Sequence, residues 1–315
     1  MGGASYDRDV YSSSSTGSWS GSTVSHKVLS KSSLDSCMLP TDRIIESTAK
    51  TPIVILLDVT GSNIAFARIV YDKMPMLYGQ IEQQGYLEDF DISVCAVGDA
   101  YCDRYPLQVA DFAKGAAIDD WLSQLVLEGG GGGQFCESYE LAAYYMYRNT
   151  RFRADAKPIL FYIADEAPYD TVNPAQAKAI VSDESTFNGD PFPLLREKFG
   201  ERVFLLKRPY NDATEIAWSR CLPSKKYQQI IRLGSGEERS VVDLILGIIA
   251  LMYGTRSVSD YKVDMINRGQ DDERVRSVTK NLNPLEKSLA LIQNVSGLDA
   301  LKNASKRTSS PSKRL

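Results

Sequence analysis

Asp58, Thr60 and Ser62 place a carboxylate and two hydroxyls at alternate positions directly after the apolar run Ile53-Val54-Ile55-Leu56-Leu57. Alternate side chains of an extended segment point the same way, so the three groups can face one point in space. One carboxylate and two hydroxyl oxygens suit a hard cation such as Mg²⁺, Mn²⁺ or Ca²⁺, and they leave coordination positions for water or a guest. Taken alone, Asp-x-Thr-Gly-Ser reads more simply as a helix cap, with Ser62 at the N-cap and Gly61 easing a tight turn. Its surroundings shift the balance toward a metal site.

Three further stretches can meet it at the carboxyl ends of the strands, the side on which doubly wound sheets bind ligands. Gly98-Asp99-Ala100-Tyr101-Cys102-Asp103 follows one predicted strand, and Asp99 is a candidate for hydrogen bonds from behind the site, although loop acids are common. The run Gly129 to Gly133 leads into Gln134-Phe135-Cys136-Glu137-Ser138 and a helix. A later strand ends in Asp165-Glu166. The glycine run lacks the Gly-Lys-Ser/Thr of a phosphate loop, so its expected use is steric: close backbone approach and positive φ. The tyrosines at 139, 144, 145 and 147 are explained by helix packing without a ligand.

The elements that position these motifs follow from the apolar pattern. Strands are predicted over 53–58, 91–97, 158–164, 202–207 and 228–233. Helices are predicted over 64–84, 117–127, 137–149, about 191–199, 212–221 and 240–253. Strands separated by helices imply parallel pairing through right-handed crossovers. The expected class is α/β, a Rossmann-like doubly wound, mostly parallel sheet with helices on both faces.

The 315 residues, 43% hydrophobic and 24% charged, can hold one generous domain with tails. Residues 1–30, centred on Ser12-Ser13-Ser14-Ser15, read as a disordered Ser/Gly-rich arm, and 31–50 as an irregular lead-in. Residues 51–254 read as the folded domain. Residues 255–315 read as a charged extension with one amphipathic piece around 285–292 and a disordered basic end.

A net charge of −4 and a pI near 5.3 provide no electrostatic reason to expect nucleic acid as a partner. The longest apolar stretch, 241–253, is too short for a bilayer core of about 30 Å, so no membrane span is expected. Five scattered cysteines, never spaced CxxC, argue against a disulfide framework or a structural zinc site. The single histidine, His26, lies in the polar leader, which removes the usual Ser-His and Cys-His catalytic arrangements. With no apolar signal-peptide core near the amino terminus, a cytoplasmic location is expected.

A strand followed by DxTxS and a helix, then a Gly-rich loop opening a helix, then a strand ending in Asp, resembles the von Willebrand factor type A (vWA) domain and its metal-ion-dependent adhesion site (MIDAS), most closely the intracellular microbial type. The resemblance covers the predicted domain. It implies that Asp58, Thr60 and Ser62 bind a divalent cation, with Asp165 acting through water and a further oxygen coming from the Gly-rich loop. In the family the metal accepts an Asp or Glu side chain of a partner protein, so the chain is expected to be a binding module and not an enzyme. An AAA-type ATPase or a multi-protein assembly is the partner class implied.

The chain departs from the family at the third loop, where a threonine is usual and Cys136, a soft ligand poorly suited to magnesium, stands instead. Gln134 or Glu137 then supplies the oxygen, or water fills the position, or the site is weakened or lost. Cys136 reads as a loop cysteine ahead of a thiol activated by the helix amino terminus. Two other functions stay open. A Rossmann-like, Mg-dependent phosphohydrolase would use Asp58 as nucleophile, with Asp165 and Glu166 holding Mg²⁺, but it wants a second Asp where this chain has Thr60. A degenerate vWA scaffold would bind its partner without metal, a version favoured by Cys136.

Overall fold

A computed structural model describes residues 34–130, 135–208, 211–224, 226–234 and 236–308, and the side chains of 293–308 lie outside that description. The Ser/Gly-rich arm expected over 1–30, and glycines 131–133 with Gln134, also fall outside the described residues.

In chain order the amino-terminal half forms β1 (Ile45–Ser47), β2 (Thr51–Asp58), α1 (Ile64–Gln83), β3 (Phe90–Val97), β4 (Leu107–Gln108), α2 (Ala117–Leu122), β5 (Cys136–Glu137), α3 (Tyr139–Asn149) and β6 (Thr150–Phe152). The rest forms β7 (Ile159–Ala164), β8 (Ala167–Pro168), α4 (Pro174–Val181), α5 (Phe192–Phe199), β9 (Val203–Lys207), α6 (Asp212–Cys221), β10 (Ile230–Arg232), α7 (Val241–Met252), α8 (Val258–Asn267) and α9 (Asp272–Thr308). Six strands make the main sheet in the order β10-β9-β7-β2-β3-β4, parallel throughout except that β4 runs antiparallel to β3. This is the expected Rossmann-like α/β class.

Strand β2 is central, pairing with β3 on one side and β7 on the other, and all eight of its residues are buried. A strand covered on both faces must be apolar on both, which is why its sequence is a continuous run and not an alternation. Ile53, Ile55 and Leu57 face one core with Phe66 and Val70 of α1 and Ile245 and Ile248 of α7. Val54 and Leu56 face the other, with Tyr139 and Tyr145 of α3 and Trp218 of α6. Asp58 continues the parity of Val54 and Leu56, so its carboxylate emerges on the face of α3.

Two small parallel sheets, β1 with β6 and β5 with β8, were not expected. At two or three residues each, they are too short to carry a readable period. β1 lies within the lead-in expected to be irregular, and Ile45 is fully buried there.

A larger difference follows Tyr253. Where one amphipathic piece around 285–292 was expected, the chain builds α8 and the 37-residue α9. The start of α8 is a capping box: Ser257 Oγ accepts from Asp260 N–H at 3.1 Å while Asp260 accepts from Ser257 N–H at 3.2 Å. Tyr261, Met265, Val275, Val278, Leu282 and Leu285 are buried in the core that contains Ile53 and Ile55, so the packing begun at β2 continues past Gly254. Arg268 pairs with the buried Asp243 of α7 at 3.1 Å. At Gly247 of α7, a Cβ would meet Leu282 and come within 2.8 Å of Tyr261 Cε1. A side chain there overpacks the seam between α7 and its covering helices. Gly247→Val is expected to lower stability by about 1–3 kcal/mol, read as a lower urea midpoint; an unchanged or higher midpoint would show that the seam is not close-packed.

Candidate metal centre

The carboxyl end of β2 is fastened on two sides. Val59 N–H donates to Val97 O of β3 at 2.9 Å, and Gly129 N–H donates to Val59 O at 3.1 Å. Gly61 N–H donates to Gly130 O, and a Cβ on Gly61 would lie 2.7 Å from that carbonyl, so the two loops meet backbone to backbone. Gly129 has φ +64°, the left-handed region that glycine enters without strain. The steric use expected of the glycine run is thus visible at its first two residues.

Asp58, Thr60 and Ser62 come together with Asp165. Asp58 Oδ1 accepts from Thr60 N–H at 2.9 Å and from Thr60 Oγ1 at 2.7 Å. The Thr60 and Ser62 hydroxyl oxygens lie 3.5 Å apart, and Ser62 Oγ donates to Asp165 Oδ1 at 3.3 Å. Asp58, Thr60 and Asp165 are buried, whereas Ser62 is exposed at the mouth. Ser62 is not a helix cap: the N-cap of α1 is Asn63, which makes no capping bond and instead donates its amide to Asp58 O at 3.1 Å. The capping explanation of the pentapeptide therefore fails.

Two aromatic residues hold the site, and the sequence reading had treated neither as functional. Tyr139, the first residue of α3, donates its hydroxyl to Asp58 Oδ2 at 2.6 Å. Trp218 donates Nε1–H to Glu166 O at 2.6 Å, which pins the segment carrying Asp165. A tyrosine opening a helix beside the Gly-rich loop was the available signal for the first. Trp218 reaches across 52 residues of sequence, and no local pattern announces it.

In the third loop Glu137 is buried. β5 lies parallel to β8, with Glu137 opposite Pro168, which draws the loop against the segment just past Asp165. Cys136 is half-buried, and burial followed by Asp170, Glu166, Glu140 and Glu137 pushes its thiol up, the opposite of activation. Asp99 accepts from Tyr101 N–H at 3.1 Å, Tyr169 Oη at 3.2 Å and Ser138 Oγ at 3.5 Å. It ties the second and third loops together behind the site.

The electrostatics are those of a place short of positive charge. Burial, then the Asp165 carboxylate, pushes the Asp58 carboxyl up to about 7, against the hydrogen bonds from Tyr139 and Thr60. Burial, then Asp58, Glu166, Asp99 and Asp103, pushes Glu137 up to about 10. Asp165 is also raised by burial, and Arg208, whose Nη1 donates to Ser62 O at 3.0 Å, opposes that shift. Asp165 Oδ2 and Glu137 Oε2 are buried without a hydrogen-bond partner. Among the described residues no group of three or more His, Cys, Asp and Glu side chains is arranged to hold a metal by itself. The donor set here is mixed: the Thr60 and Ser62 hydroxyls with the partnerless carboxylate oxygen of Asp165, which fits a hard cation.

No protein-family model and no curated protein matches the chain. Among solved structures it is similar to proximal thread matrix protein 1 of the mussel byssus with a zinc-occupied MIDAS motif, at 11% identity over 65% of this chain and 49% of that one, TM-score 0.44. It is also similar to the pilus adhesin SpaC of Lactobacillus rhamnosus GG, at 10% identity over 67% and 32% of the two chains, TM-score 0.44. A von Willebrand factor type A structure from Catenulispora acidiphila matches at 15% identity over 66% and 43%, TM-score 0.36. The chain thus spans about half the length of the mussel chain it matches. At such identities and TM-scores these likenesses say nothing of the site.

Asp58 and Glu137 both hold a proton more tightly folded than unfolded. The stability they contribute is therefore fully present below the unfolded values of about 4, and it is lost as pH rises through about 7 for Asp58 and then about 10 for Glu137. In a chelator, the melting temperature is expected to fall between pH 5 and 8, and Asp58→Asn should flatten that fall. A melting temperature that rises over this range would contradict the assignment.

Proposed function

We propose that the chain is a vWA-type protein-interaction module whose site takes a divalent cation, Mg²⁺ in the first instance with Mn²⁺ or Ca²⁺ as substitutes, and through it docks an Asp or Glu side chain of a partner protein. Asp165 Oδ2 carries this reading: it is a buried carboxylate oxygen without a hydrogen-bond partner, on a residue that also meets the Ser62 hydroxyl. A buried charge is tolerated when paired or coordinated, and a cation among Asp165, Ser62 and Thr60 would supply the missing partner. Asp58 completes the set: its bonds from Thr60 and Tyr139 fix both oxygens and orient the Thr60 hydroxyl.

The same bonds weigh against the phosphohydrolase. A nucleophilic Asp58 needs an oxygen free to attack, whereas both are engaged and the side chain is fully buried. A binding role asks only that the mouth be reachable, and Ser62 is exposed there. Among the described residues no helix is long and apolar enough to cross a membrane. The AAA-type ATPase or multi-protein assembly, and the cytoplasmic location, belong to this proposal through the resemblance and the scattered cysteines.

Calorimetric titration of Mg²⁺ and Mn²⁺ tests the reading. The wild type is expected to bind, and Asp58→Ala to show no binding. Tyr139→Phe, which removes the bond orienting Asp58, should bind about 10–100-fold more weakly. At a cation concentration one hundred times the Kd, the wild type should gain about 2.7 kcal/mol of stability that Asp58→Ala does not. Negligible heats for the wild type would remove the cation, and partner capture unaffected by EDTA would favour the metal-free scaffold. Mg²⁺-dependent turnover of a phosphate ester, abolished in Asp58→Asn, would restore the enzyme.

A further inference from the structure

We propose that Arg208 is the second point of contact for the partner's acid: one oxygen of the incoming Asp or Glu carboxylate meets the cation, and the other takes the Arg208 guanidinium at the mouth. The inference rests on the cation reading of the same site and adds to it the group that selects an acid as the guest.

Arg208 follows β9 and is built into the site from several sides. Its N–H donates at 3.1 Å to the carbonyl of Ala164, the last residue of β7 and the one before Asp165. Its own carbonyl accepts from Nζ of the buried Lys207 at 3.4 Å, and Lys207 is held in turn by Glu215 of α6 at 3.2 Å. With the backbone fixed in this way, the side chain crosses to the first loop and donates Nη1–H to Ser62 O at 3.0 Å. The guanidinium therefore sits on the residue whose hydroxyl meets Asp165 Oδ1. Ser62 is exposed and Arg208 half-buried, which places the positive charge at the rim and not among the acids.

The guanidinium is otherwise open. It carries five N–H donors in a flat fork that matches a carboxylate. Among the described residues only the Ser62 carbonyl accepts from it, and no carboxylate stands in ion-pair contact with it. Elsewhere the fold neutralises such groups: Arg268 pairs with Asp243 at 3.1 Å, and Arg232 with Glu215 at 2.8 Å. The charge of Arg208 still reaches Asp165, whose carboxyl it draws down against the effect of burial. A half-buried guanidinium with open donors, beside a site that holds acids, is suited to an anion arriving from outside.

Charge sets the order of events. With both acids ionised, Asp58, Asp165 and Arg208 together carry one negative charge, which repels a further carboxylate. A divalent cation turns that total to one positive charge. The partner's carboxylate then closes it to neutral in a place partly shielded from water, where such pairing is stronger than in bulk. Arg208 and the cation repel one another, so the arginine opposes the metal and favours the acid.

Removing Arg208 should therefore act in opposite directions on the two ligands. In Arg208→Gln, the Mn²⁺-loaded protein is expected to bind acetate, read by water-proton relaxation, about ten-fold more weakly or worse, the cost of losing a hydrogen bond to a charged group. Mn²⁺ itself should bind that variant more tightly. Arg208→Lys keeps the charge without the fork and should fall between on both measures, so the test survives if one variant folds poorly. An Arg208 that serves only to place Ser62 would show weaker Mn²⁺ binding in both variants, and that result overturns the inference. If Mn²⁺ binds the wild type, is lost in Asp58→Ala, and acetate binds the loaded wild type and Arg208→Gln equally, the inference fails while the cation reading stands. A wild type that binds no Mn²⁺ overturns both.

Discussion

A carboxylate removed from water has to be matched by hydrogen bonds or by opposite charge, and the end of β2 is organised around that requirement. Asp58 is matched by the chain itself, through the Thr60 amide and hydroxyl and through Tyr139. Asp165, at the end of β7, and Glu137, in β5, each keep one buried oxygen without a partner. Asp58 and Asp165, two buried acids at one end of the sheet, repel one another. The fold must be rigid enough to hold them together.

That rigidity has two sources. Beneath the site on the α3 face lies an aromatic cluster, in which the Trp218 ring is 5.4 Å from Tyr139, 5.2 Å from Tyr162 and 5.7 Å from Phe192. Large planar side chains in tilted contact fill space with few rotamers and bury much apolar area, and two of them end in the polar groups that hold Asp58 and the Asp165 segment. The opposite face is aliphatic, built on Ile53, Ile55, Leu57 and α7, and it is closed from outside by α8 and α9. The buried Asp243–Arg268 pair ties α8 to α7, and removing one partner would leave the other charge buried and unpaired.

The loops meet the same need at close quarters. Gly61 and Gly130 allow the first and third loops to touch through backbone alone, and Asp99 binds the second loop to the third through Ser138 and to the segment after β8 through Tyr169. The loops are thus held to one another by groups other than Thr60, Ser62 and the unpartnered Asp165 oxygen. Thr60 and Ser62 keep their hydroxyls on Asp58 and Asp165, and of these four residues Ser62 is the exposed one.

The main strands and most of the helices were legible in the sequence because each is long enough to show its period: β2, β3, β7 and β9 as apolar runs, and α1, α3, α6 and α7 as amphipathic or buried segments. Asp58, Thr60 and Ser62 were legible for a related reason, since three donors within five residues of one chain need only extended geometry to converge. Local order determines such features, and the sequence alone determines local order. Residues that meet across the chain were not legible. Tyr139 looked like one packing tyrosine of four until the sheet brought its hydroxyl to Asp58. Trp218 had no visible link to Asp165, and the pairing of β5 with β8 turns Glu137 inward in place of Cys136. α8 and α9 were missed because their apolar residues are spread among charges, and their burial depends on α7 being there to receive them. Which acids share one buried space, and which of them lack a partner, is a property of distance through the fold, and only the tertiary structure decided it.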